Sequence, residues 1–262
     1  MKKALLVVSF GTSYPEARIK NIEACEQALA QACPDRDFFR AFTSGMIMKK
    51  IAKRDGLIVD NPEEALTRLR DMGYQDIAIQ SLHVINGDEF EKIVHQVDAF
   101  KNDFERISMG KPLLSSFEDY EALIHALQAQ MPDLQENEQV VFMGHGATHH
   151  AFAAYACLDH MLIAKNLPII VGAVESYPEL DWVLTRLDQA KASKAHLMPL
   201  MIVAGDHAIN DMASDDEDSW NSQIRQAGIQ TECYLQGLGE NPLIRALFAQ
   251  HLLAAINEEE QV

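Results

Sequence analysis

The sequence predicts an α/β fold made of two similar, doubly wound parallel-sheet domains that are related by internal duplication and face each other across a cleft. Short apolar runs of strand length alternate with amphipathic segments of helical length, which is typical of βαβ units. The two halves of the 262-residue chain repeat this pattern in the same order. Metal-binding side chains follow three of the runs in the second half, at the sheet edge where ligands bind in such folds.

Each half contains four predicted strands, because buried parallel strands appear as short continuous apolar runs. Their approximate bounds in the first half are residues 4–10, 37–42, 76–85 and 112–115. Their approximate bounds in the second half are residues 139–145, 169–175, 195–203 and 232–235. We therefore predict two domains, residues 1–133 and 134–262, linked near residues 131–138.

An internal repeat relates the halves through four short segments that match in the same order. The matching pairs are residues 8–11 with 143–146, 41–44 with 173–176, 87–89 with 205–207, and 123–127 with 243–247. His145, Glu175 and His207 of the second half lie at three equivalent strand ends. Their counterparts in the first half are Phe10, Thr43 and Glu89. The second half thus differs from the first by carrying a possible metal-binding set.

Composition restricts the partners and the compartment. The formal net charge of −17 disfavours binding to nucleic acid or to an anionic membrane, so an acidic substrate requires a local basic patch. No run approaches the roughly 20 apolar residues of a membrane span. The four cysteines lack CxxC or CxxH spacing, which indicates reduced thiols. With no signal-peptide cleavage pattern, we expect a cytoplasmic protein, and a homo-oligomer remains open.

Three side chains at the strand ends of the second half form a candidate metal site. His145 stands between two glycines, so the backbone is able to turn sharply and leave the imidazole exposed. His207 offers a second imidazole and Glu175 a carboxylate. Imidazole is a standard ligand of divalent cobalt, nickel, iron and zinc. Such a set leaves coordination positions open, although each histidine alone also fits a structural role.

Other polar side chains near these strand ends are candidates for substrate contact. Glu89 is a candidate proton acceptor or accessory ligand, with an ordinary acidic helix start as the alternative. Residues 9–13 precede a predicted helix, where hydroxyls and amides bind carboxylates. The candidates in this segment and at the corresponding helix start of the second half are Ser9, Phe10, Thr12 and His149. No GxGxxG or P-loop motif is present, which argues against nucleotide binding.

The first half carries about fourteen extra residues between Ser44 and Gly87. This insert concentrates cations in an otherwise acidic chain, namely Lys49, Lys50, Lys53 and Arg54. A basic segment beside the cleft suits a large polyanionic ligand. A helix with a solvated basic face is an equally good interpretation.

Taken together, the motifs resemble the class II metal chelatases, specifically the anaerobic cobalt chelatases of cobalamin biosynthesis, CbiK type. The resemblance extends from end to end of the chain. The segments that carry it are residues 5–12, 81–89, 144–146, 174–178, 198–201, 205–207 and 210–212.

The resemblance implies that Co²⁺, as the substrate metal, is inserted into sirohydrochlorin or its precorrin-2 form without ATP and without an organic cofactor. It assigns the metal ligands to His145, Glu175 and His207. One of the two histidines or Glu89 then receives a pyrrole proton. The basic insert becomes a set of anchors for the carboxylates of the macrocycle.

Several alternative functions use similar residues. Iron- or nickel-chelatases acting on a related tetrapyrrole would use the same donor set, and the sequence alone does not fix the metal. A zinc-dependent hydrolase also combines two histidines with a carboxylate, but it requires an assigned general base. A two-lobed metal- or solute-binding protein would bind its ligand stoichiometrically without turnover.

Overall fold

Two four-stranded sheets, each with all strands parallel, form the framework of the chain. A computed structural model describes residues 1–259. The first sheet has the strand order β2-β1-β3-β4, with β1 (Lys3–Ser9), β2 (Asp37–Phe42), β3 (Asp76–Ser81) and β4 (Arg106–Gly110). The second has the order β6-β5-β7-β8, with β5 (Glu138–Gly144), β6 (Ile169–Ala173), β7 (Lys194–Leu200) and β8 (Gln230–Cys233). The duplicated α/β fold is confirmed, whereas the cleft stays a prediction.

Helical segments connect successive strands, as parallel pairing requires. Those before β5 are α1 (Pro15–Ala17), α2 (Ala24–Ala32), α3 (Gly45–Asp55), α4 (Pro62–Asp71), α5 (Asp88–Ala99) and α6 (Phe117–Gln130), with a π-helical segment at Arg18–Glu23. Those after it are α7 (Ala153–Ala164), α8 (Leu180–Gln189), α9 (Trp220–Gln226) and α10 (Pro242–Glu259), a π-helical segment at Ala208–Met212, and 3₁₀ turns at His150–Phe152 and Leu238–Glu240. No helix within residues 1–259 combines the length and hydropathy needed to cross a membrane.

The central strands are apolar because helices cover both faces of each sheet. All residues of β1 after Lys3 are buried, and so are the last five residues of β5. Burial of a Leu, Ile or Val side chain contributes roughly 1.5–3 kcal/mol to folding. Separate clusters of buried side chains lie in the two halves of the chain, one centred on β1 and β3 and the other on β5 and β7. Each sheet thus has its own core.

The strand predicted at residues 112–115 is wrong. The fourth strand of the first sheet is β4, an edge strand with alternating burial, so it lacks the continuous apolar run of a central strand. Leu113 and Leu114 are buried in the following loop. Their amides donate to the carbonyls of His83 and Val84 at 2.9 and 2.8 Å. The apolar run therefore marked a buried loop beyond β3.

Several other strands end earlier than the sequence predicts. The runs at residues 76–85, 169–175 and 195–203 stop as strands at Ser81, Ala173 and Leu200. The first and fifth strands likewise end at Ser9 and Gly144. The polar candidates at the ends of these runs consequently lie in loops beyond the ladders, where their side chains are not committed to packing between layers.

The two compact units of the structure differ from the two halves of the repeat. One unit comprises residues 1–119 together with the segment that begins at Pro242, and the other comprises Tyr120–Asn241. The final helix, α10, packs against α2, β3 and β4 of the first unit. Most of α6 belongs to the second unit, where Asn241 donates to the Ala126 carbonyl at 2.8 Å. The predicted boundary at 133/134 separates the two halves of the repeat. In the compact units, by contrast, most of the last helix of the first half belongs to the second unit, and the last helix of the second half belongs to the first unit.

The strand registers correct one pair of repeat counterparts. The equivalent pairs are Val8 with Ala41 in the first sheet and Met143 with Gly172 in the second. By this register the counterpart of Glu175 is Ser44, one residue beyond the predicted Thr43. The sequence alignment matched similar residue types on β2 and β6. The structural equivalence is instead set by how each of these strands pairs with its central strand, β1 or β5.

The other two counterparts agree with the alignment. The turn after the central strand uses a glycine with positive φ in both halves, 91° at Gly11 and 92° at Gly146. This keeps Phe10 equivalent to His145. The pairing of β1 with β3 and of β5 with β7 likewise keeps Glu89 equivalent to His207.

Candidate metal centre

Three side chains of the second unit converge beyond the carboxyl ends of its strands. His145 follows β5, Glu175 lies two residues beyond β6, and His207 lies in the first helical turn after β7. One ligand atom from each lies within 4.8 Å of the other two. The two imidazole centroids are 4.6 Å apart with nearly perpendicular rings, and His145 Nδ1 lies 3.6 Å from Glu175 Oε2. The structure thus brings the three predicted side chains together.

The dimensions of this cluster suit a divalent ion. Ligand atoms bonded at about 2.1 Å lie no more than about 4.2 Å apart, so small side-chain rotations close the remaining distance. The side chains of His145, Glu175 and His207 are 45%, 50% and 33% exposed, which leaves room for an ion to enter and leave. Two nitrogen donors and one oxygen donor form an incomplete shell, so further positions stay open to another ligand.

The two glycines around His145 have separate structural reasons. A Cβ at Gly144 would lie 2.4 Å from the ring of Tyr155, which packs directly beneath the strand end. Gly146 adopts the left-handed φ that favours glycine, and a Cβ there would lie 2.7 Å from Ser176 Oγ. That hydroxyl accepts a hydrogen bond from the Ala147 amide at 3.1 Å. The loops that carry His145 and Glu175 are therefore fastened to each other.

Both imidazoles have a hydrogen-bond acceptor beside Nδ1. His145 Nδ1 lies 3.1 Å from the Gly146 carbonyl oxygen. His207 Nδ1 lies 2.6 Å from Asp211 Oδ2. A carbonyl and a carboxylate accept hydrogen bonds, which favours the tautomer with the proton on Nδ1 and leaves Nε2 as the donor atom for a metal.

The predicted carboxylate-binding segment of the first unit is only partly exposed. Phe10 is 47% exposed, whereas Ser9 and Thr12 are buried. Thr12 Oγ1 accepts a hydrogen bond from the Tyr14 amide at 3.2 Å, so this hydroxyl stabilises the turn. Ser9 Oγ has no hydrogen-bond partner among the described residues. Phe10 is therefore the most accessible of these three candidates.

The basic insert forms α3, an additional helix between β2 and β3. Ser44 caps it by accepting from the Ile47 amide, and Gly56 ends it in the left-handed conformation. Its four cations are all exposed, namely Lys49, Lys50, Lys53 and Arg54.

The four cations of α3 are not equivalent. Arg54 forms an ion pair with Asp55 at 2.6 Å and donates to the Ser13 carbonyl at 2.7 Å. Lys50 lies 6.0 Å from the centre of the Tyr14 ring. Within residues 1–259, none of the three lysines has an acidic partner. The helix therefore presents three uncompensated charges beside the β1–α1 loop.

Glu89 and His149 occupy more constrained positions than the sequence predicts. Glu89 lies in the first turn of α5, pairs with Lys92, and lines a pocket of about 270 Å³ that also includes Thr43. His149 caps the 3₁₀ turn by accepting from the Ala151 amide at 3.2 Å through Nδ1. The His149 ring also lies 3.8 Å from that of His150.

Two further residues near the strand ends were missed as site candidates. Asp211 follows His207 by four residues, a spacing that brings side chains together on a helix and was readable from the sequence. His83 lies just beyond β3, with Nδ1 2.8 Å from Ser81 Oγ and with a buried Nε2 that has no hydrogen-bond partner among residues 1–259. Burial lowers the pKa of His83 from 6.5 to about 4, against the opposing charge of Glu89. His83 is therefore neutral at physiological pH.

Sequence comparisons relate the chain to cobalt chelatases along nearly its whole length. The family model described as Cobalt chelatase (CbiK) matches residues 3–257. Sirohydrochlorin cobaltochelatase of Salmonella typhimurium is 62% identical over 257 residues, which cover 98% of this chain and 97% of the relative. Sirohydrochlorin cobaltochelatase CbiKC of Nitratidesulfovibrio vulgaris is 30% identical, covering 98% of this chain and 91% of the relative.

Two solved structures share the fold at low sequence identity. SirB from Bacillus subtilis, solved with Fe³⁺, superposes with a TM-score of 0.62 at 16% identity, covering 100% of this chain and 98% of SirB. CbiX, described as the terminal enzyme of siroheme biosynthesis in denitrifying bacteria, superposes with a TM-score of 0.54 at 16% identity, covering 97% of this chain and 99% of CbiX. These likenesses concern the fold alone.

Proposed function

The chain belongs to the cobalt chelatase (CbiK) family, and we propose that it catalyses the ATP-independent insertion of Co²⁺ into sirohydrochlorin, or its precorrin-2 form, in anaerobic cobalamin biosynthesis. The observation that carries this proposal is the convergence of His145, Glu175 and His207 in a chain with such relatives. Two relatives that cover almost the whole chain bear the name of this activity. The hydrolase and binding-protein alternatives have no comparable support.

The three convergent side chains hold the incoming Co²⁺ in this proposal. His145 and His207 supply nitrogen donors that suit Co²⁺ but bind it less tightly than thiolates bind soft metals. Glu175 supplies a negative charge, as a ligand or as an electrostatic partner. Because the protein provides only three donors, macrocycle nitrogens are able to enter the open positions and then displace the side chains one after another.

Insertion also requires proton transfer. The macrocycle exchanges two pyrrole N–H protons for one Co²⁺, so charge balances without any redox change. An imidazole that has released the metal regains a free lone pair on Nε2 and accepts a proton there. Glu89 is a further acceptor in this proposal, with one carboxylate oxygen already paired with Lys92.

The α3 helix contributes the anionic-substrate contacts. Lys49, Lys50 and Lys53 attract the carboxylates of the macrocycle, since their charges are not compensated by nearby acids in the described chain. Arg54 plays a different part because its charge is paired with Asp55 and its side chain fastens α3 to the Ser13 carbonyl. Phe10 offers apolar surface to the substrate, while Ser9, Thr12 and His149 stay proposed contacts.

The compartment is also a proposal. Cys25, Cys33, Cys157 and Cys233 are thiols in the structure. Reduced thiols suit a cytoplasmic enzyme. A fractionation experiment with a periplasmic and a cytoplasmic marker tests this location directly.

An anaerobic absorbance assay with purified sirohydrochlorin tests the proposed activity. We expect Co²⁺ to be inserted faster than Fe²⁺ or Ni²⁺. The variants His145→Ala and His207→Ala should each lower kcat/KM by more than about 100-fold, since loss of even an outer partner of a metal ligand costs 10- to 100-fold. His160→Ala is a matched control because His160 is exposed on α7, within the same unit. Full activity in either ligand variant would remove that histidine from the site.

A further inference from the structure

We propose that Asp211 is a positioning residue for metal capture, which orients the His207 imidazole and fixes its tautomer so that Nε2 faces the incoming Co²⁺. This inference rests on the proposed function, because it assigns a role within the same metal centre. Asp211 itself does not reach the ion in this arrangement, but acts through His207.

The first argument is the short contact between the two side chains. His207 Nδ1 and Asp211 Oδ2 are 2.6 Å apart. A carboxylate accepts hydrogen bonds, so the ring proton lies on Nδ1 and the Nε2 lone pair is available to a metal. In metalloproteins a carboxylate behind a ligating histidine holds the ring in place and makes it a better donor.

The second argument is the helical segment that carries both residues. Asp211 lies within the π-helical segment Ala208–Met212, which begins directly after His207. The side chains of Ala208 and Met212 are buried, so they anchor the segment while Asp211 remains 45% exposed on its outer side. The backbone thus holds the carboxylate beside the ring without burying its charge.

The third argument is the contrast with the repeat counterpart. By the register that makes Glu89 equivalent to His207, the counterpart of Asp211 is Ile93, a fully buried core residue of α5. Glu89 pairs with Lys92 instead. A carboxylate at this helical position is therefore not needed to build the repeat, and it occurs in the half where the residue four positions earlier is a histidine.

The His145 ring has a weaker partner than the His207 ring. Its Nδ1 lies 3.1 Å from the neutral Gly146 carbonyl, and the Glu175 carboxylate is farther from it, at 3.6 Å. Both contacts are longer than the one between His207 and Asp211. Charge-assisted hydrogen bonds are roughly twice as strong as neutral ones. We therefore expect His207 to be the ligand that is held more rigidly, and Asp211 to be the residue whose loss is felt in metal capture.

Equilibrium binding of Co²⁺ to the metal-free full-length protein tests this role. The affinity follows from calorimetry and from the visible d–d absorption of bound Co²⁺. Asp211→Asn should weaken binding by about 10- to 100-fold, and Asp211→Ala by at least as much. Asp211→Glu should recover part of the affinity. The matched control is Asp206→Asn, which removes the same charge from the residue next to His207, at a side chain that takes no part in the contact between His207 and Asp211.

Ring ¹⁵N chemical shifts of the metal-free protein provide a readout independent of binding. His207 should show the Nδ1-protonated tautomer in the wild type and lose that preference in Asp211→Ala. If the wild type binds Co²⁺ and His207→Ala does not, equal affinities of Asp211→Asn and Asp206→Asn overturn the role of Asp211. If His207→Ala binds Co²⁺ as tightly as the wild type, the proposed metal centre itself is wrong.

Discussion

The strand ends of the two halves show how one backbone design serves two purposes. After the central strand, both halves turn at a glycine with the same positive φ, Gly11 in the first and Gly146 in the second. The residue before that glycine is Phe10 in one half and His145 in the other. The turn geometry is thus shared, and the chemistry depends on the one side chain that the turn exposes.

The other two equivalent positions differ in the same way. In the first half, Ser44 caps α3 and Glu89 pairs with Lys92, so both side chains interact with their own helices. In the second half, Glu175 precedes no helix immediately and His207 meets Asp211. The contact to Asp211 uses His207 Nδ1 and leaves Nε2 available, so this local helix contact does not occupy the donor atom. The comparison teaches that a metal centre requires donor atoms that local contacts leave available.

The largest effect is expected from substitutions at Glu175 and at its first-half counterpart Ser44, the pair of equivalent positions that the strand registers correct. Glu175→Gln removes a charged oxygen donor and should weaken Co²⁺ binding by about 100-fold. Ser44→Ala removes only a helix cap, so it should cost about 1 kcal/mol of unfolding free energy and leave Co²⁺ affinity within about twofold. Calorimetric titration and urea denaturation measure the two quantities on the same samples.

The opposite pattern would contradict the division of roles between the halves. A loss of Co²⁺ affinity in Ser44→Ala, with an unchanged affinity in Glu175→Gln, would mean that the carboxylate is not part of the metal centre. Thr43→Ala gives a further comparison, because Thr43 is the neighbour that the sequence alignment alone would have selected.

A second contrast concerns titratable groups just beyond the strand ends. His83 follows β3, and its counterpart by register is Met201, which packs against the core of the second sheet. The pKa of His83 falls from 6.5 to about 4 in the folded state, so the unfolded chain binds more protons between these pH values. Stability from this group is therefore complete above pH 6.5 and is lost as the pH falls toward 4.

His83→Met places the second-half residue in the first half and should flatten this pH dependence. A pKa shift from 6.5 to about 4 corresponds to roughly 3 kcal/mol of unfolding free energy. We expect an effect of about 2 kcal/mol, because the side chain is only partly buried and solvent screens its charge. The measurement is urea unfolding at pH 7, 5.5 and 4.5 for both proteins. His83→Met also removes the contact with Ser81 Oγ. A loss of stability from this contact that is the same at every pH cancels when the slopes of unfolding free energy against pH are compared. Parallel pH profiles would show that His83 is not desolvated in the folded protein.

The sequence predicts the convergence of His145, Glu175 and His207, because each of them follows a strand within a short, recognisable segment. Gly144 and Gly146 mark an exposed imidazole between two close backbone approaches, and the structure explains both glycines. The alternation of apolar runs with amphipathic segments likewise predicts a parallel sheet in each half, which the structure confirms. These features are carried by short segments of sequence. The neighbours that require the two glycines, Tyr155 and Ser176, are known only from the structure.

Features that depend on long-range pairing were harder to predict. β4 is an edge strand with a weak apolar pattern, whereas the more apolar loop after it fills space beyond β3. The equivalence of Ser44 and Glu175 is set by the ladder to the central strand, which no local alignment contains. The exchange of α6 and α10 between units depends on which surfaces the helices cover, and apolar residues alone do not specify the surface.

The smallest expected effect distinguishes anchoring charges from structural ones on α3, the helix that the second half lacks. Lys49→Glu and Lys53→Glu should each raise the KM for sirohydrochlorin about three- to tenfold at low salt and leave kcat unchanged, because exposed charges act through screened attraction. The effect should shrink at 0.5 M salt, where the screening length is only a few ångströms. Arg54→Gln should change KM less, since Asp55 already compensates its charge. Lys101→Glu is the matched control, an exposed lysine beyond the end of α5. If Lys101→Glu raises KM as much as Lys53→Glu, the effect reflects net charge and α3 is an ordinary solvated helix.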